Sequence, residues 1–214
     1  EGLARLSAAL KEDARLHTQI VDVTVEASIA QAFEAAGARF GRVDGVVNGA
    51  GIEGVRASID TYPLDIFHGI MAVNVTGVFL GIKHAIPLLR QNGGAIVNLA
   101  SSAGIKGAPD MAGYVASKHA VIGLTRVAAL ECGQHGIRSN AVCPSAVEGR
   151  MIEAIYTAQG SVAAVDPEAR RLANPSGRYA LPSEVAAVAA FLLSDAASFV
   201  NGACYSVDGG VSAM

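Results

Sequence analysis

Short apolar runs alternate along the chain with longer stretches in which apolar residues recur every three or four positions. Residues 16–23, 45–48, 95–99, 137–143 and 203–207 have the length and composition of buried strands. Between the first two, Ile29, Phe33, Ala36 and Phe40 recur at helical spacing, and Gly41 closes that segment. Ile66, Ile70, Val73, Gly77, Ile82, Ile86 and Leu89 predict one long helix from 65 to about 90, ended by Asn92-Gly93-Gly94. Further helices are predicted over 111–133 and 182–194, the latter opened by Pro182-Ser183-Glu184. Residues 1–11 are helical in composition. Strands alternating with helices imply right-handed crossovers, hence an α/β fold. The expected architecture is a doubly wound parallel sheet, Rossmann-like, in one domain over residues 1–214.

Composition narrows the partners. With 51% apolar and 16% charged residues, the chain suits a sheet covered on both faces. A net charge of −3 without a basic cluster argues against nucleic acid. Cys132, Cys143 and Cys204 are odd in number and lack CxxC spacing, so they read as reduced thiols of a cytoplasmic protein. Five scattered histidines show no ligand spacing, and no metal is expected. No uninterrupted apolar run approaches the roughly 18 residues of a membrane span, and no signal peptide opens the sequence. The expectation is a soluble protein with no membrane partner.

Three predicted strands end in unusual loops: Asn48-Gly49-Ala50-Gly51, Ala100-Ser101-Ser102 and Pro144-Ser145. In an open α/β sheet, ligands bind in the crevice outside the carboxyl ends of the strands. The glycines of the first loop either let a ligand approach the backbone or make a plain strand-to-helix turn. Tyr114 and Lys118 are four apart in a predicted helix, which puts them on one face a turn apart. A phenol with a pKa of about 10 exchanges protons poorly near neutrality. A nearby ammonium stabilises the phenolate and moves it toward the working range. A hydroxyl at the end of the 95–99 strand, Ser101, can hold a substrate oxygen beside that phenol. Alone, a Tyr-xxx-Lys spacing more often describes a surface pair.

Asn98-Leu99-Ala100-Ser101 followed by Tyr114-xxx-Lys118 resembles the catalytic core of the short-chain dehydrogenase/reductase family. The resemblance continues through residues 44–51, Asn74, Pro144 and Val207-Asp208-Gly209-Gly210, and covers nearly the whole sequence in order. It implies Tyr114 as the proton-transfer residue, with Lys118 lowering its pKa and hydrogen-bonding the nicotinamide ribose. It also implies that Ser101, rather than Ser102, orients the substrate oxygen and that Asn74 holds a water linking the lysine to solvent. Asp22 and Val23 match the pair that contacts adenine, although Asp22 also reads as a helix cap. Asn48, Gly49, Ala50 and Gly51, with Pro144, Ser145 and Val147, complete the cofactor contacts that the resemblance implies.

The implied activity is hydride transfer between a secondary alcohol or ketone and a nicotinamide cofactor, NAD or alternatively NADP. Departures stand at Gly49, Ser145 and Gly149, where the family usually has Asn, Gly and Thr. They motivate a second reading, a catalytically silent member acting as a binding or scaffold subunit. An epimerase or dehydratase using the same Tyr-Lys pair is a third. Residues 149–177 break their period with Gly and Pro and are expected to form a substrate lid contacting substrate through Met151, Ile152 and Ile155. The helices at 65–90 and 111–133 carry apolar residues on more than one face, which suits a homo-oligomer. The resemblance makes that a tetramer. No TGxxxGxG loop is present, so the chain is expected to be N-terminally incomplete, lacking a β-α-β unit before Glu1. The 16–23 and 45–48 strands would then be third and fourth in a 3-2-1-4-5-6 order, roughly 14 Å apart.

Overall fold

The computed structural model describes residues 15–157 and 171–214. The helix predicted over 1–11 and residues 158–170 of the expected lid lie outside the described residues. Helix α1 spans Glu26–Phe40, with Glu26 in its first turn and Arg39 in its last, charges that suit the helix dipole. Strand β1 is Gly45–Asn48. Helix α2, Leu64–Met71, continues through a π-helical turn, Ala72–Thr76, into α3, Gly77–Leu89. Then come β2, Gly94–Leu99, α4, Ala112–Cys132, and β3, Ile137–Pro144. Helix α5, Arg150–Thr157, helix α6, Pro182–Leu193, and strand β4, Cys204–Val207, complete the described elements.

The four strands form one parallel sheet in the order β1-β2-β3-β4. Gly45 pairs with Ala95, Gly94 with Ile137 and Ala141 with Cys204. Helices cover both faces, because the apolar residues of each strand alternate. Ile96 and Ala100 of the β2 segment, with Ile137 and Ala141 of β3, pack on α3 and α4 through Val78, Ile82, Val121 and Ala128. Val97 and Val142 face the other way, onto Val185, Ala189 and Leu192 of α6. The sheet is Rossmann-like, as expected. Helix α6 starts where Pro182 sets the first turn and the Glu184 carboxylate accepts from the Leu181 N–H at 2.8 Å.

One expectation is corrected. Residues 16–23 form no strand. An apolar run supplies strand propensity but not a partner, and β1 is the sheet edge, with Val47 47% exposed. Val21 and Val23 line a cavity of about 210 Å³ together with Val46–Ala50, and β1 pairs only with β2 among the described residues. The continuous helix Leu64–Leu89 has a mean hydropathy of 1.5 over an 18-residue window and is long and apolar enough to cross a membrane. His68, Asn74 and Lys83 interrupt its apolar runs. One of its faces is inside the protein, with Ile70, Asn74, Ala85 and Leu89 fully buried.

Close packing explains one glycine in that helix. A Cβ on Gly81 would overlap the Asn48 side-chain amide. With that space open, Asn48 Nδ2 reaches Asn98 Oδ1 at 2.7 Å, and Asn98 Nδ2 reaches Thr125 Oγ1 at 3.0 Å. A polar chain thus ties β1, β2 and α4 together beneath the carboxyl ends of the strands.

Candidate active site

A cavity of about 940 Å³ opens at the carboxyl ends of β1, β2 and β3. All three loops singled out in the sequence reach it: Gly49 and Gly51, Ala100 to Ala103, and Pro144 to Val147. Ser101 caps a short 3-10 turn, its Oγ accepting from Ala103 N at 3.1 Å and donating to the Pro144 carbonyl at 3.3 Å. That pins the hydroxyl between the β2 and β3 loops. Helix α4 begins at Ala112 and delivers Tyr114 and Lys118 to the same wall.

Ser101, Tyr114 and Lys118 are respectively 9%, 8% and 6% exposed. Burial raises the Tyr114 pKa, a hydrogen bond with the Ser101 side chain pulls it back, and the Glu53 carboxylate pushes it up again. Burial lowers the Lys118 pKa to about 8, opposed by the Cys143 sulfur. Lys118 Nζ is 5.5 Å from the Tyr114 ring centroid and donates to the Leu99 carbonyl at 2.7 Å. The expectation that Lys118 lowers the Tyr114 pKa is therefore not met in this state. Desolvation is the largest influence on the phenol, and the ammonium gives one of its three N–H groups to a main-chain oxygen.

Asn74 occupies the π-helical turn, which widens the helix where its amide must turn inward. Its Oδ1 accepts from Ile52 N at 2.8 Å, and its Nδ2 donates to Ile52 O at 2.9 Å and Ser117 Oγ at 3.0 Å. The amide thereby fixes the Gly51-Ile52 backbone. The Cα of Gly51 points between Asn74 Oδ1 and Lys118 Nζ, 3.4 and 3.6 Å from where a Cβ would stand. Asn74 belongs to the same cluster but does not line the cavity.

The remaining expected cofactor residues divide. Gly49, Gly51, Pro144, Ser145 and Val147 line the main cavity, and Val147 is held by a bridge to Ala180. Val23, Asn48 and Ala50 border only the smaller cavity. Asp22 borders neither of these two cavities. Its Oδ1 accepts from Thr24 N at 2.9 Å and Thr24 Oγ1 at 2.7 Å, and these bonds hold its carboxyl below the ordinary range. That is a turn-capping arrangement ahead of α1.

Two departures have local causes. Ser145 Oγ donates to the Asp208 carbonyl at 3.2 Å, tying the β3 loop to the turn after β4. Gly149 has φ +136, a left-handed conformation that a threonine adopts only with strain. Met151 and Ile152 line the cavity, whereas the Ile155 side chain lies outside the described residues. Sequence reasoning missed Ser117 and Arg56. Ser117 is fully buried and donates to the Tyr114 carbonyl at 2.7 Å, joining Asn74 to α4. A serine in the apolar middle of a predicted helix was the available signal. Arg56, a single cation in a loop, carried none.

A family model described as enoyl-(acyl carrier protein) reductase matches residues 1–212. Levodione reductase of Leifsonia aquatica is 42% identical over 224 residues, spanning all of this chain and 82% of that protein. A crystal structure of levodione reductase matches with a TM-score of 0.90 at 40% identity, over 100% of this chain and 85% of that one. An inactive 2-(S)-hydroxypropyl-CoM dehydrogenase 2 of Xanthobacter autotrophicus is 46% identical over 90% of this chain and 84% of that protein. A crystal structure of NAD+-bound xylitol dehydrogenase matches with a TM-score of 0.88 at 32% identity, over 97% of this chain and 84% of that one. With Ser101, Tyr114 and Lys118 on one cavity wall and relatives matched along the whole sequence, the chain belongs to the short-chain dehydrogenase/reductase family of oxidoreductases.

Proposed function

We propose that the protein interconverts a secondary alcohol and a ketone, with NAD or NADP as the hydride partner. The convergence of Ser101, Tyr114 and Lys118 on one cavity carries this reading. The Tyr114 hydroxyl, a phenol protonated near neutrality and held more firmly so by burial, gives its proton to the ketone oxygen during reduction. In the reverse direction it takes the alcohol proton. Ser101 Oγ holds the substrate oxygen against the phenol, and the buried Lys118 ammonium stabilises the charge left on Tyr114.

A nicotinamide cofactor supplies or accepts the hydride when bound. The cavity suits one, since about 940 Å³ is far more than a small ketone fills and glycines 49 and 51 leave one wall open. Gly49, Gly51, Pro144, Ser145 and Val147 would hold the nicotinamide end, with Lys118 near its ribose. The xylitol dehydrogenase is NAD+-bound and a similar gluconate 5-dehydrogenase structure is in complex with NADP, which supports either nicotinamide cofactor for this chain. A panel of cyclic and acyclic alcohols and ketones with each cofactor, read by nicotinamide absorbance, tests the reading. Product without net cofactor change would instead favour an epimerase or dehydratase. The 46% identity to an inactive dehydrogenase, with the departures at Gly49, Ser145 and Gly149, favours a catalytically silent scaffold as second reading. No absorbance change with any pair would select it.

The working protein is a cytoplasmic homotetramer in this reading. Phe79 on α3 and Val127 and Leu130 on α4 are 48%, 50% and 83% exposed, leaving apolar faces for other subunits. Residues 149–177 act as the lid of a single domain, with Met151 and Ile152 toward substrate.

A further inference from the structure

Arg56 lies in the loop between β1 and α2, beside the segment that delivers Tyr114. Ala57 forms a one-residue parallel bridge with Met111, its N–H donating to the Asp110 carbonyl at 3.0 Å. Tyr114 follows three residues later. The half-buried Arg56 side chain lines the cavity. Its Nη2 makes one long bond, 3.4 Å to the Pro109 carbonyl, and its Nε is buried without a partner. Among the described residues no carboxylate pairs with it. The nearest acidic residue in the loop, Glu53, is within 3.9 Å of Arg150.

The rest of the wall sharpens the point. The charged side chains lining the cavity are Arg56, Lys106 and Lys118, and among the described residues no Asp or Glu side chain joins them. Lys118 is committed to the Leu99 carbonyl, and Lys106 is exposed and donates to the Val211 carbonyl at 3.0 Å. Among the described residues of the wall, Arg56 is the cation held least, by its single long bond to Pro109. A guanidinium held by one weak bond turns toward an incoming acceptor at little cost. A carboxylate then meets its planar fork through two parallel hydrogen bonds and neutralises its charge.

We propose that Arg56 is a specificity residue that binds a carboxylate on the substrate, at the end away from the oxygen handled by Tyr114 and Ser101. The inference rests on the oxidoreductase reading above and deepens it: the preferred substrate is an oxoacid or hydroxyacid rather than a neutral ketone. A neutral acceptor would satisfy the orphan Nε but leave the charge uncompensated, which is why the anion is favoured.

The test pairs oxoacids, from acetoacetate to 4-oxocyclohexanecarboxylate, with their methyl esters, using the full chain with NADH and NADPH. Wild type should show kcat/KM at least 10-fold higher for the best acid than for its ester. In Arg56→Met that ratio should fall to near one, mainly through KM, and Arg56→Lys should restore part of it. Calorimetric titration of the same acid into both proteins should show 10- to 100-fold weaker binding to Arg56→Met, with NAD affinity unchanged. Equal acid and ester rates in wild type, or an equal fall in NAD affinity in the variant, would overturn the assignment. Failure to turn over any ketone would sink the oxidoreductase reading instead. The calorimetric comparison would then decide the Arg56 site alone, supporting it on a 10-fold loss and overturning it on none.

Discussion

Replacing Lys118 by methionine removes a buried charge while keeping most of the side-chain volume, so stability and catalysis should part. Lys118 is 6% exposed, and burial lowers its pKa from 10.5 to about 8. At about 1.36 kcal/mol per pK unit, keeping the ammonium charged in the folded chain costs on the order of 3 kcal/mol. The folded pKa is below the unfolded one, so the cost is fully present below about pH 8. It is relieved as the pH rises toward 10.5, because there the unfolded chain binds more protons and stability rises with pH. By pH 10 the wild type should have gained roughly 2.5 kcal/mol relative to pH 7, a gain that the methionine variant cannot share. At pH 7 the variant gives up the bond to Leu99, about 1.5–3 kcal/mol for a charged donor. It should therefore match or slightly exceed wild-type stability there, and fall behind at pH 10. Cys143, held up at about 12 by burial, is common to both proteins and largely cancels. Urea unfolding followed by circular dichroism at pH 7, 8, 9 and 10 gives the difference directly, and turnover should be lost at every pH. Parallel stability curves, differing by a constant from pH 7 to 10, would refute the reasoning.

Tyr114→Phe should lower kcat by about 10²–10⁴-fold with the fold intact, and near wild-type rates on the best substrate would remove Tyr114 from the chemistry. Because the Tyr114 pKa is raised, ketone reduction should stay level through neutrality and decline in alkali, while alcohol oxidation should climb; kcat/KM profiles of the same slope in both directions would contradict this. Ser117→Ala leaves Asn74 Nδ2 one partner short and should cost about 1–3 kcal/mol, with kcat reduced; unchanged urea midpoints would show that the bond is dispensable. Gly81→Ala should cost about 1–3 kcal/mol through overpacking against Asn48, and a crystal structure should show Asn48 displaced from Asn98.

What could be read from the sequence was whatever depends on local pattern. Periodicity placed α1, the long helix, α4 and α6 because each buries a stripe of its own residues, and the Tyr114–Lys118 spacing became a shared face once helix α4 formed. What could not be read depends on partners. The apolar run at 16–23 has strand composition, yet it pairs with nothing described, and its Val21 and Val23 line a small cavity beside β1 instead. The π-helical turn at Asn74 has no compositional mark. It becomes visible only when the amide must reach Ile52 and Ser117 at once. The direction of the Tyr114 pKa shift was missed for the same reason. Four residues of separation says that an ammonium is near, but not that burial is deep or that Leu99 has taken the ammonium's hydrogen bond. A charge on a helix face is thus only a candidate. Whether it tunes its neighbour depends on what else acts there, and in this structure burial is the largest influence on the Tyr114 phenol.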